Sequence, residues 1–160
     1  MRSRLTRGMT LAAPLILVLV AAGCGSSSKS TSTTPAISKA EFLKKGNAIC
    51  KKGNDQINKA AQKVFLNRKT KPSKAQLNTF ATGTLIPSVQ SQINGVKALG
   101  APKGDEAKVN AIITTAQAAL DKAKTDPILL TGSKHDPFAK SNKLAKAYGL
   151  TVCGSGGGGG

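Results

Sequence analysis

From Ser38 onward, small or apolar residues return every three or four positions: Leu43, Gly46, Cys50, Gly53, Ile57, Ala60 and Val64. That spacing places all of them on one face of a helix. Between them stand two copies of one tetrapeptide, Lys44-Lys45-Gly46-Asn47 and Lys51-Lys52-Gly53-Asn54, seven residues apart, which puts paired lysines on the opposite face. Ser38 supplies an N-cap, and Glu41 three residues on completes a capping-box pattern. Each glycine inside a helix costs about 1 kcal/mol relative to alanine. Two readings account for them: close approach of a neighbouring helix at a small-residue groove, or a break at one Gly-Asn pair. The apolar period crosses both glycines without a phase shift, which favours one unbroken helix.

The same stepping recurs downstream. Ser73 caps a stretch in which Ile86, Val89, Ile93 and Val96 keep the period up to Gly100-Ala101-Pro102. Pro87 lies inside it and removes an amide donor, so this segment is kinked or forms two shorter helices. A third helix starts near Gly104-Asp105-Glu106, with acids at its positive end, and runs through Val109, Ile112, Ile113, Ala116, Leu120 and Ala123 to about Thr125. Asp126-Pro127 stops it. Ile128 to Lys134 reads as a loop or a short helix. Asp136-Pro137 opens a last helix from Phe138 to Tyr148, which Gly149 ends, and Leu150-Thr151-Val152-Cys153 returns to the first helix. No strand alternation appears elsewhere, so the expected fold is all-α, a small four-helix bundle.

The start of the chain is of another kind. Arg2, Arg4 and Arg7 precede an apolar run from Leu11 to Ala22, the layout of a secretory signal, since a membrane-spanning helix needs about 20 apolar residues. The run ends Val20-Ala21-Ala22-Gly23-Cys24, which resembles a bacterial lipoprotein lipobox with Ala21 where leucine is usual. The resemblance implies a diacylglyceryl thioether on Cys24 and cleavage just before it; ordinary signal cleavage after Ala22 is the alternative. Two acyl chains, at about 0.8 kcal/mol per buried methylene, hold a protein on a bilayer that it does not span. Ser26 to Pro35 is then a polar tether. The expected organisation is signal peptide 1–23, tether 24–37, helical domain 38–153 and a disordered Gly-rich tail 154–160.

With Cys24 acylated, Cys50 and Cys153 remain as an even pair in an oxidising compartment and are expected to form one disulfide. A loop of about 100 residues closed in this way is worth roughly 4 to 5 kcal/mol through the unfolded state. A zinc site needs four ligands, and a cysteine nucleophile needs a base. His135 is the only histidine and lies in the polar stretch Gly132 to Asp136, so neither metal nor cofactor is expected.

From Phe42 to Gly154 the layout resembles small uncharacterised surface lipoproteins of high-GC Gram-positive bacteria, through Ala48 and Cys50 early and Pro137, Phe138, Tyr148, Gly149, Leu150, Cys153 and Gly154 late. The resemblance implies the disulfide and the outer face of the cell membrane, and no activity.

Charge narrows the partners. The chain carries 24 Lys+Arg against 7 Asp+Glu, a formal +17. Nearly all the cations are lysines, and three of the four arginines lie in the signal. Nucleic-acid readers favour arginine and aromatic platforms, which this chain lacks. From Lys39 to Lys69 nine cations face only Glu41 and Asp55. Lys44, Lys45, Lys51 and Lys52 are therefore the candidate contacts to anionic lipid headgroups or acidic wall polymer; a solvated, solubilising face is the other reading. Most carboxylates have helix-end roles and no nucleophile elbow or phosphate loop is present, so no catalytic residue is expected. The expected function is a non-enzymatic binding or structural module, lipid-anchored outside the cell. The alternative is a small-ligand or lipid carrier with an apolar pocket near Phe42, Phe80, Phe138 and Tyr148.

Overall fold

The computed structural model of the protein describes residues 36–66, 70–131 and 135–156. The signal, Cys24 and most of the tether lie outside these residues, as do 157–160. Within them the fold is all helical: α1 (Lys39–Phe65), α2 (Lys74–Phe80), α3 (Ile86–Ala98), α4 (Glu106–Thr125) and α5 (Ala139–Tyr148). A π turn, Ala81–Leu85, joins α2 to α3 without a gap, so these elements form four rods. Short 3-10 turns occupy Pro127–Leu130 and Cys153–Ser155.

α1 runs unbroken for 27 residues through both glycines. Ser38 Oγ accepts from the Glu41 amide at 3.2 Å, but the Glu41 carboxylate turns along the helix to Lys45 at 2.7 Å, so only half of the expected capping box forms. The full box lies at α2, where Ser73 and Gln76 exchange both bonds. At Pro87 the ring displaces the carbonyl four residues back, at Gly83. The chain answers with the wider π repeat, in which the Ile86 amide reaches back to Ala81 O, and the rod continues.

α1 packs on α3, α3 on α4, α4 on α5, and the 3-10 turn after α5 returns to α1. Two apolar clusters fill the interior. One gathers Phe42, Cys50, Val96, Val109, Ile112, Ala145, Tyr148 and Leu150. The other gathers Ile57, Phe80, Ala81 and Leu85.

The return segment is stapled by the Cys50–Cys153 disulfide. α5 ends at Gly149, whose φ of +108° only glycine adopts at low cost, and the Leu150 amide closes back on Ala145 O at 2.9 Å. Gly154 corrects the expected boundary of the tail. It is buried in the final 3-10 turn and donates to Leu150 O at 2.9 Å. A Cβ there would stand 2.6 Å from Asn142 O, so the residue is a glycine because it packs, and the ordered domain extends to Gly156.

Candidate functional site

Three features could carry function: a cleft, a clamp beside it and a lysine face. The cleft, of about 600 Å³, opens between α1, the α2–α3 rod, α4 and the α5 end of the molecule. Its apolar wall includes Ile57, Ala61 and Phe65 of α1, Phe80, Leu85 and Val89 of the second rod, Ile113 and Ala116 of α4, and Leu130 and Phe138. It therefore lies where the two core clusters meet without filling the space between them. Phe65 stands edge-on to Phe80, with ring centroids 6.0 Å apart, and remains 43% exposed at the margin.

The four aromatics expected around one pocket divide into two pairs. Phe80 and Phe138 line the cleft. Phe42 and Tyr148 do not: they pack edge-to-face at 6.0 Å inside the first cluster. The reason is Asp105, which accepts the Tyr148 hydroxyl at 3.0 Å and draws that ring to the start of α4. Lys108 at 3.0 Å and Lys39 at 3.6 Å complete a hub, and Lys39 Nζ also lies 4.7 Å over the Tyr148 ring. The hydrogen bond from Lys108, then that from Tyr148, holds the Asp105 carboxyl below its ordinary range. Burial, then the bond to Asp105, pushes the Tyr148 hydroxyl up to about 12. Asp105, expected only as a helix-start acid, thus joins α1, α4 and α5.

The cleft also has a polar component that the sequence did not single out. Asn54, Asn58 and Gln92 line it from one side and Thr131, Ser141 and Asn142 from the other. Thr131 Oγ1 is closed off from solvent and has no hydrogen-bond partner among the described residues. Asp136 is the charged side chain of the wall, and both its oxygens are occupied, one by the Phe138 amide at 2.8 Å and one by Asn142 Nδ2 at 2.9 Å.

The clamp explains the repeated tetrapeptide. Asn47 donates to Gly149 O at 3.2 Å and accepts from the Val152 amide at 2.9 Å, while Asn54 donates to Val152 O at 3.5 Å. Gly46 makes room for Leu150, whose Cδ2 would lie 2.6 Å from an added Cβ, and Gly53 makes room for Gln92. Side chains occupy both glycines, in place of the expected backbone of a neighbouring helix. Cys50 sits between the two sets, so glycine, asparagine and cysteine of α1 together hold the return segment that walls one end of the cleft.

Lys44, Lys45, Lys51 and Lys52 are all exposed on the other side of α1. Lys45 pairs with Glu41 at 2.7 Å and Lys51 with Asp55 at 2.8 Å. Exposed pairs of this kind are worth under about 1 kcal/mol and leave the lysines available. His135 is exposed, and no group of three metal-ligating side chains occurs among the described residues. No helix among them is long and apolar enough to cross a membrane. No protein-family model, curated protein or solved structure matches the chain.

Proposed function

We propose that this chain is a non-enzymatic binding module, held at the outer face of a cell membrane through acylated Cys24, that takes a small apolar or amphipathic ligand into the cleft between its two core clusters. The cleft carries this reading. Its volume of about 600 Å³ falls within the ~300–1,000 Å³ typical of small-molecule sites, and its wall is mainly aliphatic and aromatic with a few polar groups. The location rests on the lipobox-like Val20 to Cys24 and the polar tether after it.

Binding of the neutral apolar dye Nile red to the chain from residue 24 onward carrying Cys24→Ser, which has neither the apolar signal nor an acyl anchor to compete, tests the cleft. One equivalent is expected to bind, and Ala61→Trp, which fills the cleft from α1, abolishes binding while the far-UV spectrum stays helical. An Ala61→Trp protein that binds the dye as before overturns the reading. The intact mass of membrane-extracted protein tests the anchor: the expected increment is a diacylglyceryl group on Cys24.

A further inference from the structure

Three large apolar side chains stand exposed among the described residues: Leu66 at 74%, Phe65 at 43% and Ile128 at 41%. Scattered singly, such side chains are ordinary on a protein surface. These three share one end of the bundle. Phe65 meets Phe80 of α2 edge-on, and the turn Pro127–Leu130 that carries Ile128 packs on the same cluster through Leu130. The Asp105–Tyr148 hub lies at the opposite end, where α1 and α4 begin and α5 finishes. Apolar side chains gathered in this way mark a contact surface.

The charge around this tip selects its partner. Lys59, Lys63 and Leu66 are spaced by four and three residues, so they share one face of α1, the same outer face that carries the four exposed lysines upstream. Lys71 and Lys74 stand exposed where α2 begins, and Lys122 in the last turn of α4. Against them are Asp126 beside Ile128, and Asp121, which Lys124 already pairs at 3.0 Å. Contact surfaces between proteins are depleted in lysine. An apolar tip rimmed by lysines matches an anionic bilayer instead: apolar side chains enter the acyl boundary while the ammonium groups extend to the phosphates. The chain from Cys24 to Lys39 reaches at most about 50 Å when extended. α1, with 27 residues, is about 40 Å long, so the proposed anchor and the tip can meet one membrane.

We propose that this end of the bundle docks on an anionic bilayer, with Phe65, Leu66 and Ile128 entering the acyl boundary and Lys59, Lys63 and Lys74 at the headgroup phosphates. The docking is separate from ligand binding in the cleft. Phe65 belongs to both, so docking brings the margin of the cleft to the lipid.

The sequence contains no tryptophan, so Leu66→Trp, in the chain from residue 24 onward carrying Cys24→Ser, is a single reporter at the tip. With phosphatidylglycerol vesicles at low salt its emission is expected to shift to the blue and to be quenched by lipids brominated on their acyl chains. Ala107→Trp, exposed at the opposite end on α4, should show neither effect. Leu66→Ser with Ile128→Ser should leave the far-UV spectrum helical and weaken vesicle binding about tenfold. Phosphatidylcholine vesicles should bind at least tenfold more weakly than phosphatidylglycerol. No vesicle binding, binding without quenching at position 66, or equal quenching at both tryptophans overturns the proposal. A dimer that the double serine variant abolishes, with no quenching by vesicles, assigns the tip to a second copy and overturns it too. Nile red binding without vesicles tests the cleft by itself, so either reading can fail while the other stands.

Discussion

At the scale of single residues, the glycines separate into groups that composition alone makes equal. Gly83 lies in the π turn with open space around it, so alanine there gains helix propensity and restricts the unfolded chain at no packing cost. Gly83→Ala is expected to stabilise by about 0.5–1 kcal/mol. At Gly46 the intruding atom is the end of the Leu150 side chain, which can turn aside, so the same propensity gain offsets much of an overpacking cost of ~1–3 kcal/mol. Gly46→Ala should therefore cost about 1 kcal/mol, a residue of these two opposed terms. At Gly154 the neighbours are the Asn142 carbonyl and the Lys146 amide, 2.6 and 3.0 Å away, which cannot move without moving α5. Gly154→Ala should cost about 3 kcal/mol, the top of the overpacking range. Urea midpoints of the three variants check both the sign and the order. The Tyr148–Asp105 contact predicts a pH dependence. Tyr148 holds its proton more tightly in the fold, so its contribution is complete below its ordinary value of 10.0 and is lost as pH rises toward about 12. Asp105 is shifted downward, so its contribution is present above the ordinary carboxylate value of 3.8 and is lost as pH falls through its lower folded value. Tyr148→Phe should cost about 1 kcal/mol at neutral pH and flatten the loss of melting temperature between pH 10 and 12. Asp105→Asn should flatten the acid side.

At the scale of elements, the return segment after α5 buries Leu150 in the core, and its backbone is held by polar groups of α1. Asn47→Ala leaves the Val152 amide and the Gly149 carbonyl without their partner, a loss of about 2 kcal/mol. Hydrogen exchange at Val152 should accelerate accordingly, while amides in the middle of α4 change less. Replacing both Cys50 and Cys153 by serine should cost roughly 4 kcal/mol, since the loop that they close spans most of the domain. The helices themselves were legible because three-and-four periodicity survives substitution of large apolar residues by Gly, Ala and Cys, as on α1. The disulfide followed from cysteine parity. What stayed hidden depends on which side chain reaches which element. Asn47 and Asn54 stand beside lysines in a repeated tetrapeptide with no sign of a partner, and only the fold shows their amides bonded to residues 98 to 105 positions away. The cleft was half legible: Phe80 and Phe138 were named, but the recruitment of Tyr148 by Asp105 is a tertiary contact with no spacing signature, and Thr131 looks like any loop threonine until its burial is known.

At the scale of the whole molecule, α1 keeps two chemistries apart. Its inner stripe gives glycines, Cys50 and asparagines to the clamp and neutral groups to the cleft, while its outer side carries Lys44, Lys45, Lys51 and Lys52 in solvent. The segregation makes the two proposed contacts separable. Attraction of exposed lysines to an anionic surface is a sum of small terms, up to about 1 kcal/mol each, and fades where the salt screening length shortens to a few ångströms. The proposed binding in the cleft would rest on burial of apolar surface, which salt screening leaves almost unchanged. The chain from residue 24 onward, without the signal and carrying Cys24→Ser, is accordingly expected to sediment with phosphatidylglycerol vesicles at 0.02 M salt and to be released near 1 M. Changing Lys44, Lys45, Lys51 and Lys52 to glutamine should cut vesicle binding at least tenfold and leave the Nile red affinity where it was. Glu41 and Asp55 set a finer test on the same face, because each sits beside one of these lysines at 2.7 and 2.8 Å. Glu41→Gln with Asp55→Asn should strengthen vesicle binding by removing the two carboxylates that the approaching surface repels. Vesicle binding that ignores both sets of changes would show that the lysines only keep the bundle soluble.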